Sequence, residues 1–196
     1  MKKINIILDP AHGKNVAGKR SPDESHFEYI WSRDRCKSLE NKLKKKGYNV
    51  HWTNDSEEEI PLRTRVDRAN NFASKYTTTS ILISLHNDAL GYDKEWTKAS
   101  GYSVYTTKGK TKSDDFAENL MKNFISEFPE LKSRPEKSDN DLDREENFTV
   151  LTGSKYLAVL IEWLFQNNQE DLKIIKDPGY NERFENCIIK TIEEWK

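Results

Sequence analysis

Short apolar runs alternate along this chain with longer stretches in which apolar residues recur every three or four positions. Residues 3–8 form the first run, rich in β-branched side chains and stopped abruptly at Asp9-Pro10. Residues 9–25 hold Gly13, Gly18, Pro22 and many polar groups and are expected to be loop. From Glu28 to Lys46, Tyr29, Ser32, Cys36, Leu39 and Leu43 share one stripe at helical spacing. Lysines load its last turn, where the helix dipole favours cations, and Gly47 stops it. Residues 48–53 read as a second strand. An acidic loop then leads to Pro61, placed to open a helix with Leu62, Val66, Ala69 and Ala73 as its buried stripe. Arg63, Arg65 and Arg68 fall off that stripe and are expected in solvent or paired with the acidic loop.

Residues 80–85 are nearly all apolar, the mark of a strand covered on both faces, and lead into His86-Asn87-Asp88. Gly101 to Thr106 alternates as a further strand would, at an edge of the sheet. Phe116, Leu120, Phe124 and Phe128 mark a helix by their four-residue spacing. Residues 129–147 are polar, with Pro129 and Pro135, and are expected to be a mobile loop or lid. Phe148–Leu151 and Tyr156–Ile161 read as short strands. Leu172, Ile174 and Ile175 belong to a brief helix closed by Asp177-Pro178-Gly179. A last helix carries Phe184, Ile188, Thr191 and Trp195 on one side.

Strands alternating with helices predict an α/β fold: a three-layer α/β/α arrangement around a central, mostly parallel mixed sheet of about six strands. With 196 residues the chain is expected to be a single domain, residues 1–196. Charged residues make up 33% and the formal net charge is −1, so nothing in the balance calls for nucleic acid or an anionic membrane. Cys36 and Cys187 fall in helical apolar stripes and are expected to be plain core residues. No run approaches the roughly 20 apolar residues of a membrane span, and the run after Lys3 is too short for a signal peptide. Synthesis in the cytoplasm without membrane insertion is the expectation.

In parallel sheets ligands gather beyond the carboxyl ends of the strands. Three of the predicted strands deliver an ionisable residue there: His12, His86 and Glu162. Two histidines and one carboxylate are a common donor set for hydrolytic zinc, and a further carboxylate is then needed as general base. His12, His86, a glutamate near residue 28 and Glu162 would complete such a set. An ionised carboxylate directly after Leu157-Ala158-Val159-Leu160-Ile161 is costly to bury unless paired or metal-bound, although a strand end facing solvent would also accommodate it.

In order and spacing, these residues resemble the zinc-dependent N-acetylmuramoyl-L-alanine amidases of the amidase-3 type. Asp9-Pro10-Ala11-His12-Gly13 is similar to the family's D-P-G-H-G start. Glu28 heads a helix followed by Gly47-Tyr48-Asn49-Val50, similar to the family's glutamate-headed helix and its G-Y/A-x-V strand. Pro61 to Asn70 resembles L-x-x-R-x-x-x-A-N. Ser84-Leu85-His86-Asn87-Asp88-Ala89 resembles S-I/L-H-x-N/D-A. Val159 to Asn168 resembles V-L-x-E-x-x-F-x-x-N. The resemblance implies one zinc ion on His12, Glu28 and His86, with His26 as fallback ligand, and Glu162 as catalytic base. It implies a phosphorylase/hydrolase-like fold, and hydrolysis of the amide between N-acetylmuramic acid and the L-alanine of the peptidoglycan stem.

Asn87, Glu145, Asn147 and Trp163 are candidate substrate contacts, Trp163 either stacking on a sugar or filling core. Asp9 is expected to orient the His12 ring or cap its loop. Ala11 and Lys14 depart from the family's glycines. The stretch from Asp139 to Asn147 looks like a loop of phage and Bacteroidetes members, which leans toward an endolysin-like enzyme, with a sporulation or recycling enzyme or a secreted toxin as alternatives. A monomer is expected, released through a holin if phage-encoded and acting on the cell wall or in the periplasm. Two other classes fit the residues: a zinc amide hydrolase for another acyl-amino acid, and a non-catalytic peptidoglycan-binding module.

Overall fold

The computed structural model describes residues 4–91, 95–136 and 141–195. Its elements are β1 (Asn5–Pro10), α1 (Glu28–Lys45), β2 (Asn49–Trp52), α2 (Leu62–Ser74), β3 (Ser80–Asp88), β4 (Ser103–Thr106), α3 (Lys112–Glu127), β5 (Arg144–Glu145), α4 (Thr149–Thr152), β6 (Leu157–Phe165), α5 (Gln169–Lys176) and α6 (Pro178–Glu194). The six strands form one sheet in the order β2-β1-β3-β6-β4-β5. β2, β1, β3 and β6 run parallel, β4 is antiparallel to β6, and β5 is parallel to β4. This is the expected mostly parallel mixed sheet.

Strand side chains alternate between faces, and the two cores follow that parity. Ile6, Leu8, Ile81, Ile83, Leu85, Val159, Ile161 and Trp163 face α1, α3 and α6. Ile7, Leu82, Ala158 and Leu160 face α2 and α4. Helices therefore cover both faces, which is why β1, β3 and β6 carry almost unbroken apolar runs. Cys36 and Cys187 are buried free thiols, as the sequence suggests.

Several expectations need correction. Phe148–Leu151 is not a strand: Thr149–Thr152 form one helical turn. Its adjacent Val150 and Leu151 both enter the α2-side core, which a strand's alternation would not allow. β6 runs three residues past Glu162. β4 lies inside the sheet, with the two-residue β5 outside it. Leu62 is 48% exposed instead of buried. Arg65 is 2% exposed instead of solvated, although it does pair with Glu59 of the acidic loop. Asp177-Pro178 closes α5 and also opens α6, the Asp177 carboxylate accepting from the N–H groups of Gly179 and Tyr180.

The stretch expected to be a lid is tied to the sheet on both flanks. The Tyr102 N–H donates to the Lys132 carbonyl, the Arg134 N–H to the Tyr102 carbonyl, and the Glu146 N–H to the Thr106 carbonyl. Residues 137–140, the middle of that stretch, lie outside the described residues.

Asp143, just before β5, is 1% exposed and accepts from the Thr106 hydroxyl at 2.6 Å. Burial, with the nearby charges of Asp141 and Asp114, outweighs that hydrogen bond and raises its pKa from 3.8 to about 7. The unfolded chain then releases this proton first. Stability contributed by the protonated Asp143 is complete below about pH 4 and is lost as pH rises to about 7. Asp143→Asn should remove that slope, gaining on the order of 2 kcal/mol near neutrality, against a ceiling of roughly 4 for such a shift. Urea unfolding at pH 5 and pH 8 measures it; equal slopes for both proteins would refute the assignment.

Candidate active site

The carboxyl ends of β1, β3 and β6 converge on one side of the sheet. β1 ends at Pro10, and the chain turns so sharply that His12 takes φ of 39°, a left-handed conformation uncommon for a non-glycine residue. The turn is anchored on two elements. The Ala11 N–H donates to Ser32 Oγ on α1 at 2.8 Å, that hydroxyl donates to the Leu85 carbonyl on β3 at 2.7 Å, and Arg33 donates to the Ala11 carbonyl at 3.0 Å. Gly13 lies against the acidic loop: a Cβ there would stand 2.0 Å from the Glu59 backbone nitrogen, so no larger residue fits. The glycine that this loop needs is Gly13, while Ala11 is fully buried without strain.

Glu28 is the first residue of α1, where the helix dipole favours a carboxylate. It is 1% exposed and held on every side. Its Oε1 lies 3.0 Å from His86 Nδ1 and 3.7 Å from His12 Nε2, and accepts from the Asn87 N–H at 3.2 Å. Its Oε2 accepts from Gln166 Nε2 at 3.2 Å. The His12 and His86 rings meet edge-on, with centroids 5.1 Å apart. One ligand atom from each of His12, Glu28 and His86 lies within 4.8 Å of the others.

The charge states suit a cation. Burial lowers the His12 pKa to about 4, so the ring is neutral with a free lone pair. Burial alone would raise the Glu28 carboxyl, but the His86 hydrogen bond and the electrostatics of the surrounding site outweigh it and lower its pKa. Two imidazoles and one carboxylate, preassembled and otherwise costly to bury, are the donor chemistry of a hydrolytic zinc site.

Glu162 is the register partner of His86 across β3 and β6, and the pairing shifts just beyond it, between His86 and Asp88. Parity puts both side chains on the α2 face, where they line a cavity of about 310 Å³ together with His12. Burial first, then the Asp88 and Glu28 charges, push the Glu162 pKa well up. Its Oε2 is enclosed and has no hydrogen-bond partner among the described residues.

The substrate contacts expected from the sequence fare differently. Asn147 is exposed and lines the cavity. Trp163 does not: it is 0% exposed, packed against Tyr102, Phe124, Phe128 and Phe184 on the opposite face, because it follows Glu162 by one strand position. Asn87 is likewise turned away. Its Oδ1 lies 2.9 Å from His26 Nε2 and its Nδ2 donates to the Trp163 carbonyl at 2.7 Å. This corrects both. Glu145 is not brought to the cavity; it accepts from the Gly109 N–H at the sheet edge. His26 is buried on Asn87 and is not part of the donor cluster.

Asp9 does not touch His12 either. It accepts from Thr53 and from Ser84 (2.6 Å) and pairs with Arg65 at 3.3 Å, fixing the end of β1 from below. Arg65 also donates to the Pro10 carbonyl.

Sequence reasoning missed Gln166, Lys19, and the exposed apolar rim of Leu62 and Phe148. Only burial and position in the folded chain single them out. Gln166 is fully buried and orients the Glu28 carboxylate. Gln166→Leu should weaken zinc affinity about 10- to 100-fold, the usual effect of removing a partner behind a ligand. Competition with a fluorescent zinc chelator measures it, and unchanged affinity would count against the role.

Residues 6–194 match the family model described as N-acetylmuramoyl-L-alanine amidase (Amidase_3), and the chain belongs to that family. Among curated proteins it is 28% identical over 196 residues to the probable cell wall amidase LytH of Staphylococcus epidermidis, covering 100% of this chain and 59% of that protein. It thus spans less than two thirds of the length of the curated relatives it matches. Among solved structures, the N-acetylmuramoyl-L-alanine amidase from Clostridium difficile 630 superposes with a TM-score of 0.84 at 24% identity, covering 99% of this chain and 97% of that one. The catalytic domain of CwlV, an N-acetylmuramoyl-L-alanine amidase from Bacillus (Paenibacillus) polymyxa var. colistinus, gives 0.81 at 22% identity, with 98% and 97% covered. The fold is therefore shared with these amidases.

Proposed function

We propose that residues 1–196 act as one catalytic unit that hydrolyses the amide between the lactyl group of N-acetylmuramic acid and the L-alanine of the peptidoglycan stem. The observation that carries this reading is the preassembled His12–Glu28–His86 cluster, whose two histidines line one cavity with Glu162. These three residues would hold one zinc ion. Bound there, zinc would supply a Lewis acid that polarises the carbonyl and lowers the pKa of water.

The chain's own groups would do the rest. Glu162 stands where it can take a proton from the attacking water and return it to the alanine nitrogen as the amide breaks. Its enclosed, unpartnered Oε2 and its raised pKa suit a group that must hold a proton between the two steps. Gln166, the Asn87 N–H and α1 keep Glu28 in place. Leu62 and Phe148 would exclude water from one wall, and Asn147 would contact the substrate.

The same reading has a monomer working on the cell wall after delivery, with a holin as partner in a phage setting. No helix among the described residues is long and apolar enough to cross a membrane. The test is zinc analysis paired with mass spectrometry of digested peptidoglycan. One zinc per chain and new N-terminal alanine without new reducing sugar ends are expected. A bound zinc without muropeptide cleavage would favour another acyl-amino acid substrate, and absence of zinc binding would favour a binding module; either result overturns the proposal.

A further inference from the structure

Among the described residues, Lys19 lines the active-site cavity without a salt bridge. The cavity is lined by two long basic side chains, Arg65 and Lys19. Arg65 is engaged by Asp9 and Glu59. Lys19 is half-buried, and no carboxylate among the described residues lies within 4.0 Å of its ammonium. Its backbone is fixed. Its carbonyl accepts from the N–H of Glu28 at 3.1 Å, and the next residue, Arg20, bridges to Phe27. The loop therefore carries Lys19 at a set place beside the head of α1. From there its charge reaches His12, Glu28 and Glu162 as a minor contribution beside burial and the nearer groups.

A lysine that lines a concave site without an ion-pair partner offers its ammonium to an anionic group of the ligand. The reacting part of the substrate offers none: the lactyl carbonyl, the scissile amide and the alanine methyl are all neutral. The nearest anion in a peptidoglycan stem is on the peptide side, where a second residue linked through its side-chain carboxyl keeps its α-carboxylate free. We propose that Lys19 recognises this carboxylate and makes the site selective for stems that carry it over stems in which it is a carboxamide. The inference rests on the amidase reading given above.

Two synthetic muramyl dipeptides test it, alike except for a carboxylate or a carboxamide at that position. The zinc-loaded protein should favour the carboxylate by about tenfold in kcat/KM, the discrimination of one charge-assisted hydrogen bond. Lys19→Met should bring the ratio close to one, and Lys19→Arg should keep it. Binding of the two compounds to Glu162→Gln by calorimetry should show the same gap. Thermal unfolding checks that the variants are folded. Discrimination that survives Lys19→Met, or equal cleavage of both compounds by the unaltered protein, overturns the role of Lys19 and leaves the amidase reading standing. Cleavage of neither compound overturns both.

Discussion

Replacing Glu162 by glutamine is expected to lower kcat on muropeptides by about 10²- to 10⁴-fold, the usual contribution of a positioned proton-transfer group. The substitution keeps the shape of the side chain in the wall of the cavity and removes its basicity. Zinc content should be unchanged, because the clustered donor atoms belong to His12, Glu28 and His86. Since the loss falls on proton transfer, KM should move little and kcat should carry the effect. Single-turnover assays with matched zinc loading make the measurement. Activity within tenfold of the unaltered protein would remove Glu162 from the mechanism, and loss of zinc would make it a ligand.

Arg65→Met should destabilise the protein by about 3–5 kcal/mol, the range for stripping one partner from a buried ion pair. Asp9 is 1% exposed and would keep its bonds to Thr53 and Ser84 but lose its balancing charge. The Pro10 carbonyl and Glu59 would lose a donor as well. Adding Asp9→Asn removes the uncompensated charge, and the double variant should recover part of the loss. Urea unfolding of the four proteins in this cycle supplies the coupling. A single-variant loss under 1 kcal/mol would show that Arg65 is a surface residue in practice. Because Arg65 also fixes the turn before His12, a drop in zinc affinity is expected to accompany the loss of stability.

The placement of Arg65 shows where one-dimensional reading runs out. On α2 it falls beside the apolar stripe, and an arginine there is normally solvated. What buries it is Asp9, 56 residues earlier in the chain and on a different element. Trp163 and Asn87 fail for another reason, one the sequence did contain. Each is adjacent to a residue that enters the cavity, and strand alternation turns an adjacent side chain to the other face. Applied to β3 and β6, that rule alone would have sent Trp163 into the aromatic core and Asn87 towards His26. Phe148–Leu151 reads as a strand because β-branched residues favour strands in isolation, while the fold needs Val150 and Leu151 on one side and makes a helical turn there.

By itself, the sequence determined the parts that repeat locally. The apolar runs of β1, β3 and β6, the stripes of α1, α3 and α6, and hence the α/β class follow from periodicities of two and 3.6, which neighbouring residues carry without help. It also brought forward His12, Glu28, His86 and Glu162, through the order and spacing of short motifs at strand and helix ends. Only the tertiary structure decided which polar groups meet. Gln166 behind Glu28 and Arg65 beneath Asp9 are pairings between distant segments, and Lys19 reaches the cavity from a loop far from β3 and β6 in the chain. Their energy comes from desolvation and charge, which depend on what surrounds a group in space and leave no period in the chain.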